Sequence, residues 1–455
     1  MQQVNLGMIG GGTVGSGVFH ALQLNGGLMA SRIGVKIAVR KVAVKALNEP
    51  RPYAIPRSLL TTDWQRVVHD PHVDIVTELV GGTGIARRVI LTALRLGKPV
   101  ITANKALLSQ HGEELFAAAS RHGTNLYYEA SVCGGIPIIK SLREGFVGNR
   151  ITHLYGIVNG TCNYILTRMK LEGADFDTVL RDAQKQGYAE SPPDLDIDGW
   201  DAQHKIGILA SLAHGFWVDR KRIHVEGIRH ISALDVKFAG QLGYTIKLLG
   251  IIRRIDGLRS AKDEPKRQPA RKSSIANRKS QIQVSVYPTL VPNSHVLASV
   301  NHVFNAVYVR GDIVGDTLFY GRGAGKDATA SAVLSDLADA ALDLKFGTKH
   351  RLPPFVPHEP NGVVAPIEQV CSQYFVRFSV VDRPGVLAKI AAILGRAHIG
   401  ISSVIQPEGH EGERVPLILM LHSAPHGAVT KALARIGTLP GVKAKPVAIR
   451  VEDFN

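Results

Sequence analysis

The stretch GYAESPPDLDIDGWDAQHK, residues 187–205, sets Glu190, Asp194, Asp196, Asp198 and Asp201 ahead of Lys205, in a chain whose formal charge is +16. Carboxylates this close together hold a metal, hold a cationic ligand or face water. Asp194, Asp196, Asp198 and Gly199 match the opening of an EF-hand loop, which closes on a bidentate glutamate at its twelfth position. Counted from Asp194, that position is Lys205. An ammonium there repels a dication, so calcium fails at its deciding ligand. The segment AQHKIGILASLAHG reads as a helix, which puts Asp201 and Lys205 at i and i+4 on one face. Asp201 falls at the helix start, where a carboxylate is favoured. Such a pair is a structural ion pair or a catalytic pair. Asp194, Asp196 and Asp198 read as acids that shape the loop or add negative field.

A second group sits at the other end of the chain. Gly10, Gly12 and Gly15 spell GxGxxG directly after the apolar run VNLGMI. Glycines at this spacing allow a tight turn and let a pyrophosphate approach the first turn of the following helix. Thr13 and Val14 lie inside the same turn. The acid that selects NAD, about 20 residues on, is missing: no Asp or Glu occurs between Met1 and Asn48. Arg40, Lys41 and Lys45 stand near the end of the second extended region instead. Cations there suit the 2′-phosphate of NADP; the plain alternative is solvated strand-end charge.

The elements around these groups predict α/β architecture. Strand, glycine turn and helix at the N-terminus are followed by IGVKIAVRKVAVKAL, VDIVTELVGG and KPVITANKALL as extended segments, with helical IARRVILTALRLG between the last two. Alternating strands and helices imply a Rossmann-type doubly wound parallel sheet over residues 1–130. Residues 131–345 mix strands and helices as an α+β substrate and dimerisation domain, interrupted by a basic insertion at 259–280. Residues 346–373 form a linker, because the five prolines of 353–366 favour extended, unpacked chain. Residues 374–455 alternate as β-α-β-β-α-β, a ferredoxin-like order.

Composition excludes several classes. No apolar run approaches the ~20 residues that span a bilayer, and the N-terminus lacks a charged region and cleavage pattern, so a cytoplasmic chain with no membrane partner is expected. Cys133, Cys162 and Cys371 show no CxxC pairing, which argues against a disulfide scaffold or a zinc site. Residues 253–280 hold ten Lys/Arg against three Asp/Glu. Much of the basicity therefore belongs to one polar segment, and no specific nucleic-acid partner is implied.

The ordered blocks GMIGGGTVG, ELVGG, ITANKALL, YEASVCGGIPII, NGTCNYIL, GYAESPPDLDIDGWDAQHK and FYGRGAGKDATASAV resemble homoserine dehydrogenase across nearly the whole chain, and DRPGVLAKIA resembles the start of an ACT domain. The resemblance implies NAD(P)-dependent interconversion of L-homoserine and L-aspartate 4-semialdehyde, in threonine, methionine and isoleucine biosynthesis. It makes Lys205 the general acid/base, with Lys105 a second cation at substrate and nicotinamide. Glu190 and Asp201 hold the substrate, and Asn159, Gly160 and Thr161 form a loop beside it. Gly187 and Gly325 join Gly10, Gly12, Thr13, Val14, Gly15, Lys45 and Lys105 at the cofactor, NADP with NAD as the alternative. Glu129 with the carbonyls of Val132, Gly134 and Ile136 resembles a Na⁺ site. Asp382, Arg383, Pro384 and Gly385 open the ACT unit, where L-threonine is the implied effector, and a homo-oligomer is implied. Two features depart from the family pattern: Ala46 replaces an acid and Glu49 a cation after Lys45, and Ala328 replaces a proline. The competing readings are an amino-acid sensor without catalysis and another amino-acid dehydrogenase.

Overall fold

The computed structural model describes residues 1–255, 280–348, 351–407, 410 and 412–454. The basic insertion therefore lies outside the described residues, save Ser280. The expected blocks were contiguous in sequence, whereas the compact units are not. One unit gathers 1–154, 203–221 and 304–362; the other gathers 155–202, 222–303 and 363–455.

The first unit is built on a six-stranded sheet. Across it lie Leu60–Thr61, Val35–Ala43, Gln2–Ile9, Ile75–Glu78, Val100–Thr102 and Leu126–Tyr127, in that order and all parallel. In sequence terms this is 3-2-1-4-5-6, the order of a dinucleotide-binding sheet. Its central strands Ile75–Glu78 and Val100–Thr102 are buried throughout, so they read as apolar runs rather than alternating patterns. The Thr13–Ile33 helix packs against a helix from far down the chain, Lys326–Lys345. Val18, Phe19 and Leu22 of the one share a core with Ala330, Val333, Leu337 and Ala340 of the other.

The proline-rich segment is packed rather than loose over 351–362. Phe355 lies 5.8 Å from the ring of Phe116 and 5.9 Å from Trp217. Arg143 donates to the carbonyls of Leu352 and Pro353, both at 2.8 Å, and Tyr128 to that of Pro354 at 2.7 Å. Proline removes backbone donors but leaves every carbonyl free to accept, and side chains of the unit use them.

In the second unit the strands Tyr244–Ile255, Gln281–Pro292, Val447–Val451, Cys371–Val381, Arg414–Pro425 and Ile401–Ile405 follow one another across a mixed sheet. The last four, with the helices Val386–Arg396 and His426–Gly437, keep the β-α-β-β-α-β order. They do not stand apart. Gln281–Pro292 pairs with Tyr244–Ile255 on one edge, and its other edge is shared by three short strands: Val363–Val364, His224–Val225 and the chain's final strand. A long strand with an open edge is satisfied only by such additions.

Candidate active site

The glycine turn follows directly from the first strand. Gly10 has φ 108°, and its N–H donates to the carbonyl of Ala43 at 2.8 Å. A Cβ on Gly10 would lie 2.6 Å from the Leu79 carbonyl, and one on Gly15 would lie 2.0 Å from the Gly10 oxygen. Neither position takes a side chain. Gly12 is different: no atom lies within 4 Å of a Cβ built there. It caps the Thr13–Ile33 helix without a side-chain bond, and the first turn, with Thr13 and Val14, holds no acid. A positive helix end facing open space fits a pyrophosphate.

The cations singled out near the second strand have separate fates. Arg40 is held by Asp70 at 2.7 Å, and Lys41 donates to the Ser58 carbonyl at 3.3 Å. Lys45 is exposed. Just beyond it, Arg51 donates to the carbonyls of Ala46, Leu47 and Glu49 and so shapes the turn that presents Lys45.

Two further strand ends are braced by a residue not singled out from the sequence. Glu78, fully buried, accepts the Val80 and Gly81 amides at 2.9 and 3.2 Å and the Thr102 hydroxyl at 2.7 Å. Burial pushes its carboxyl above the usual range, and these hydrogen bonds oppose the shift. Asn104 donates to the Gly82 carbonyl at 2.7 Å and caps the Lys105–Arg121 helix through the Leu107 amide. Lys105 is thereby fixed at the C-terminal edge of the parallel sheet, where ligands of such folds bind. The only hint in the sequence was an acid closing an apolar strand in ELVGG.

Gly325, φ 116°, caps the Lys326–Lys345 helix. A Cβ on Gly17 would lie 3.2 Å from the Lys326 carbonyl, so Gly325 sits beside the first turns of the glycine-turn helix.

The proposed cation loop lies in the same unit. Glu129 is buried, and its carboxylate accepts the amides of Ile139 and Lys140 at 3.0 and 2.7 Å. The Ile136 carbonyl accepts the Ile138 amide. Val132 is fully buried, and a Cβ on Gly134 would lie 3.0 Å from the Thr329 hydroxyl. Burial raises the Glu129 carboxyl to about 7, against the pull of the two amide bonds.

In the second unit the acidic stretch divides. Asn159 caps the Gly160–Glu172 helix by accepting the Cys162 amide at 2.8 Å. Its side-chain nitrogen donates to Asp196 at 2.8 Å and to Asp201 at 3.0 Å. Thr161 donates to the Tyr188 carbonyl at 2.7 Å and reaches Asp196 at 3.3 Å. Asp196 therefore belongs with the expected substrate residues. Asp194 and Asp198 instead both pair with Arg229. Asp196 thus parts from Asp194 and Asp198, which share Arg229. Glu190 is exposed, with its carbonyl taken by Gln184 at 3.2 Å. Gly187 has φ 75° with open space around it. Asp201 opens the Trp200–His214 helix, and Lys205, which the division of the chain assigns to the first unit, follows one turn later on the same helix; both are buried, at 5% and 7% exposure. A buried lysine and carboxylate on one helical face are the parts of a proton-transfer site.

At the expected effector turn, Gly385 is left-handed, φ 85°, and caps the Val386–Arg396 helix with no atom within 4 Å of a Cβ. Asp382 accepts the Gln406 amide at 3.0 Å, while Arg383 and Pro384 are exposed.

Among the described residues no helix is long and apolar enough to cross a membrane. Two family models match the chain: "Homoserine dehydrogenase, NAD binding domain" over 10–129 and "Homoserine dehydrogenase" over 137–338. The chain is 40% identical to homoserine dehydrogenase of Pseudomonas aeruginosa, covering all of both chains. The crystal structure of a homoserine dehydrogenase from Thiobacillus denitrificans superposes with a TM-score of 0.89 at 41% identity, covering 100% of this chain and 99% of that one. A hyperthermophilic archaeal homoserine dehydrogenase in complex with NADPH shares the fold over 75% of this chain and 98% of its own, with a TM-score of 0.59 at 24% identity. Matched by both family models and by full-length relatives at about 40% identity, the chain belongs to the homoserine dehydrogenase family.

Proposed function

We propose that the chain interconverts L-homoserine and L-aspartate 4-semialdehyde, with Lys205 as the general acid/base. The observation that carries the reading is the helix on which buried Lys205 follows buried Asp201 by one turn, with Asp201 fixed by Asn159. When bound, the nicotinamide supplies or accepts the hydride. In the reducing direction Lys205, as an ammonium, gives a proton to the aldehyde oxygen as the carbon is reduced; in the oxidising direction its amine takes the hydroxyl proton back. Asp201 and Glu190 hold the substrate's ammonium and hydroxyl ends, and Asn159, Gly160 and Thr161 shape the loop beside them. Asp196, bonded to the same asparagine, adds negative field toward the ammonium. Lys105 contacts substrate and nicotinamide from the edge of the parallel sheet.

NADP is the preferred cofactor in this reading. The absence of any acid from Met1 to Asn48 and the exposed Lys45 favour a 2′-phosphate, and Glu49 works against it. Gly187 and Gly325 contact the cofactor. Na⁺ suits the Glu129 loop, because a carboxylate with the carbonyls of Val132, Gly134 and Ile136 is an all-oxygen donor set and a cation there favours the ionised carboxyl. The C-terminal β-α-β-β-α-β unit acts as an ACT domain that takes L-threonine at Asp382–Gly385. The enzyme works as a homo-oligomer in the cytoplasm. Homoserine-dependent NADP reduction without release of ammonia tests the reading; ammonia release would instead mark a deaminating dehydrogenase, and no turnover a sensor.

A further inference from the structure

His224, Glu226 and His426 place three potential ligand atoms within 4.8 Å of one another, which invites a metal ion. A guanidinium stands there instead. Arg450, on the chain's last strand and 2% exposed, donates to both oxygens of Glu226 at 3.0 Å and lies 3.0 Å from Nδ1 of His426. Its carbon is 4.1 Å above the ring of Tyr287. A dication beside a buried guanidinium is electrostatically unfavourable, so Arg450 takes the metal's place. Burial alone would raise the Glu226 carboxyl, but the His224 hydrogen bond and the Arg450 charge outweigh it and hold the group well below the usual carboxylate range. The pair is an ionised, bidentate clamp.

What the clamp holds is the other side of the acidic stretch. Gly227 follows Glu226, and a Cβ there would lie 2.3 Å from the Ile197 carbonyl and 2.5 Å from Asp198 Cα. The Ile228 amide donates to that same Ile197 carbonyl at 2.8 Å. Arg229 then forks onto Asp194 and Asp198. Residues 226–229 thus grip the short helix Asp194–Ile197 from behind, through backbone and side chain together. The same short helix carries Asp196, which bonds to Asn159 and Thr161.

We propose that Glu226, Arg229 and Arg450 are positioning residues for substrate binding. They fix the 226–229 segment, which sets the Asp194–Ile197 helix and so places Asp196 on Asn159 and Thr161. This rests on the substrate reading of Asn159 and Asp201 given above. Arg450 and His426 belong to the C-terminal unit, so the chain of contacts also gives that unit a physical handle on substrate affinity.

Steady-state kinetics of the full chain test the proposal with Glu226→Gln, exposed-side Arg229→Met, their double variant, and Asp201→Asn. Removing one partner of a charge-assisted bond should raise KM for homoserine by about fivefold or more in each single variant, with kcat and KM for NADP within about twofold. The double variant should cost less than the product of the two, because both act through one helix. If the 226 and 229 variants lower the melting temperature but leave KM for homoserine unchanged, or depress kcat and both KM values alike, the positioning role is overturned. Asp201→Asn separates the two levels. An unchanged KM for homoserine there would overturn the substrate reading and the proposal with it. A raised KM in Asp201→Asn alone would leave the reading standing and overturn only the positioning role.

Discussion

The side-chain amide of Asn159 donates to Asp201 at 3.0 Å, and its second hydrogen goes to Asp196 at 2.8 Å. One neutral residue therefore orients two carboxylates while its oxygen caps the Gly160–Glu172 helix. Two carboxylates on one uncharged amide are the arrangement that the proposed reading uses to meet the substrate's ammonium.

Asn159→Ala should therefore weaken substrate binding. Loss of two charge-assisted hydrogen bonds predicts a rise of about tenfold to a hundredfold in KM for homoserine. KM for NADP should hold, since the glycine turn is untouched. An initial-rate series in both substrates reads this directly, and equal rises in both KM values would remove Asn159 from the substrate loop.

Lys45→Ala should raise KM for NADP more than KM for NAD. The exposed lysine follows a strand whose two other end-cations are engaged, Arg40 with Asp70 and Lys41 with the Ser58 carbonyl. Equal effects on both cofactors would end the 2′-phosphate role, and an NAD preference in the wild type would give Glu49 the deciding charge.

Glu129 gives a pH signature. Its carboxyl titrates near 7 when folded, above its ordinary 4.5, so the folded chain binds more protons than the unfolded chain between these values. Its contribution to stability is greatest below about pH 4.5 and is lost as pH rises toward about 7. Asp336, buried and donated to by the Glu129 amide at 2.9 Å, is likewise raised by burial. The melting temperature of wild type relative to Glu129→Gln should fall across that window, and Na⁺ should flatten the fall. A difference independent of both pH and Na⁺ would dismiss the cation site.

Millimolar L-threonine should slow the full-length enzyme, and Gly385→Val should abolish the response, because φ 85° excludes a β-branched residue from the turn. Inhibition requires that threonine favour a less active state, so a binding isotherm without a kinetic effect would leave the unit an assembly module.

Much of this was legible in the sequence, for local reasons. GxGxxG follows a strand and opens a helix, and both facts are written within fifteen residues. Helical spacing puts Asp201 and Lys205 on one face, but it left a structural and a catalytic pair open, and the family resemblance supplied the expected chemistry. Asp196 was not separable from Asp194 and Asp198, because the three share one pattern and only Arg229, distant in sequence, sorts them. Glu78 was passed over because its partner Thr102 lies on another strand. The prolines of 353–366 spoke for loose chain, but Phe355 finds Phe116 and Trp217, and the carbonyls find Arg143. Contiguous domain blocks missed the open edge of Gln281–Pro292, which recruits the final strand. Each miss is a tertiary partner that no local pattern announces.

The most direct test of the account is the turnover of Lys205→Ala in the homoserine-dependent reduction of NADP. A general acid/base is worth about 10²–10⁴-fold, so kcat should fall by that factor while KM for NADP stays at the wild-type value. Turnover close to wild type would contradict the assignment of Lys205 and, with it, the chemistry built on the acidic stretch.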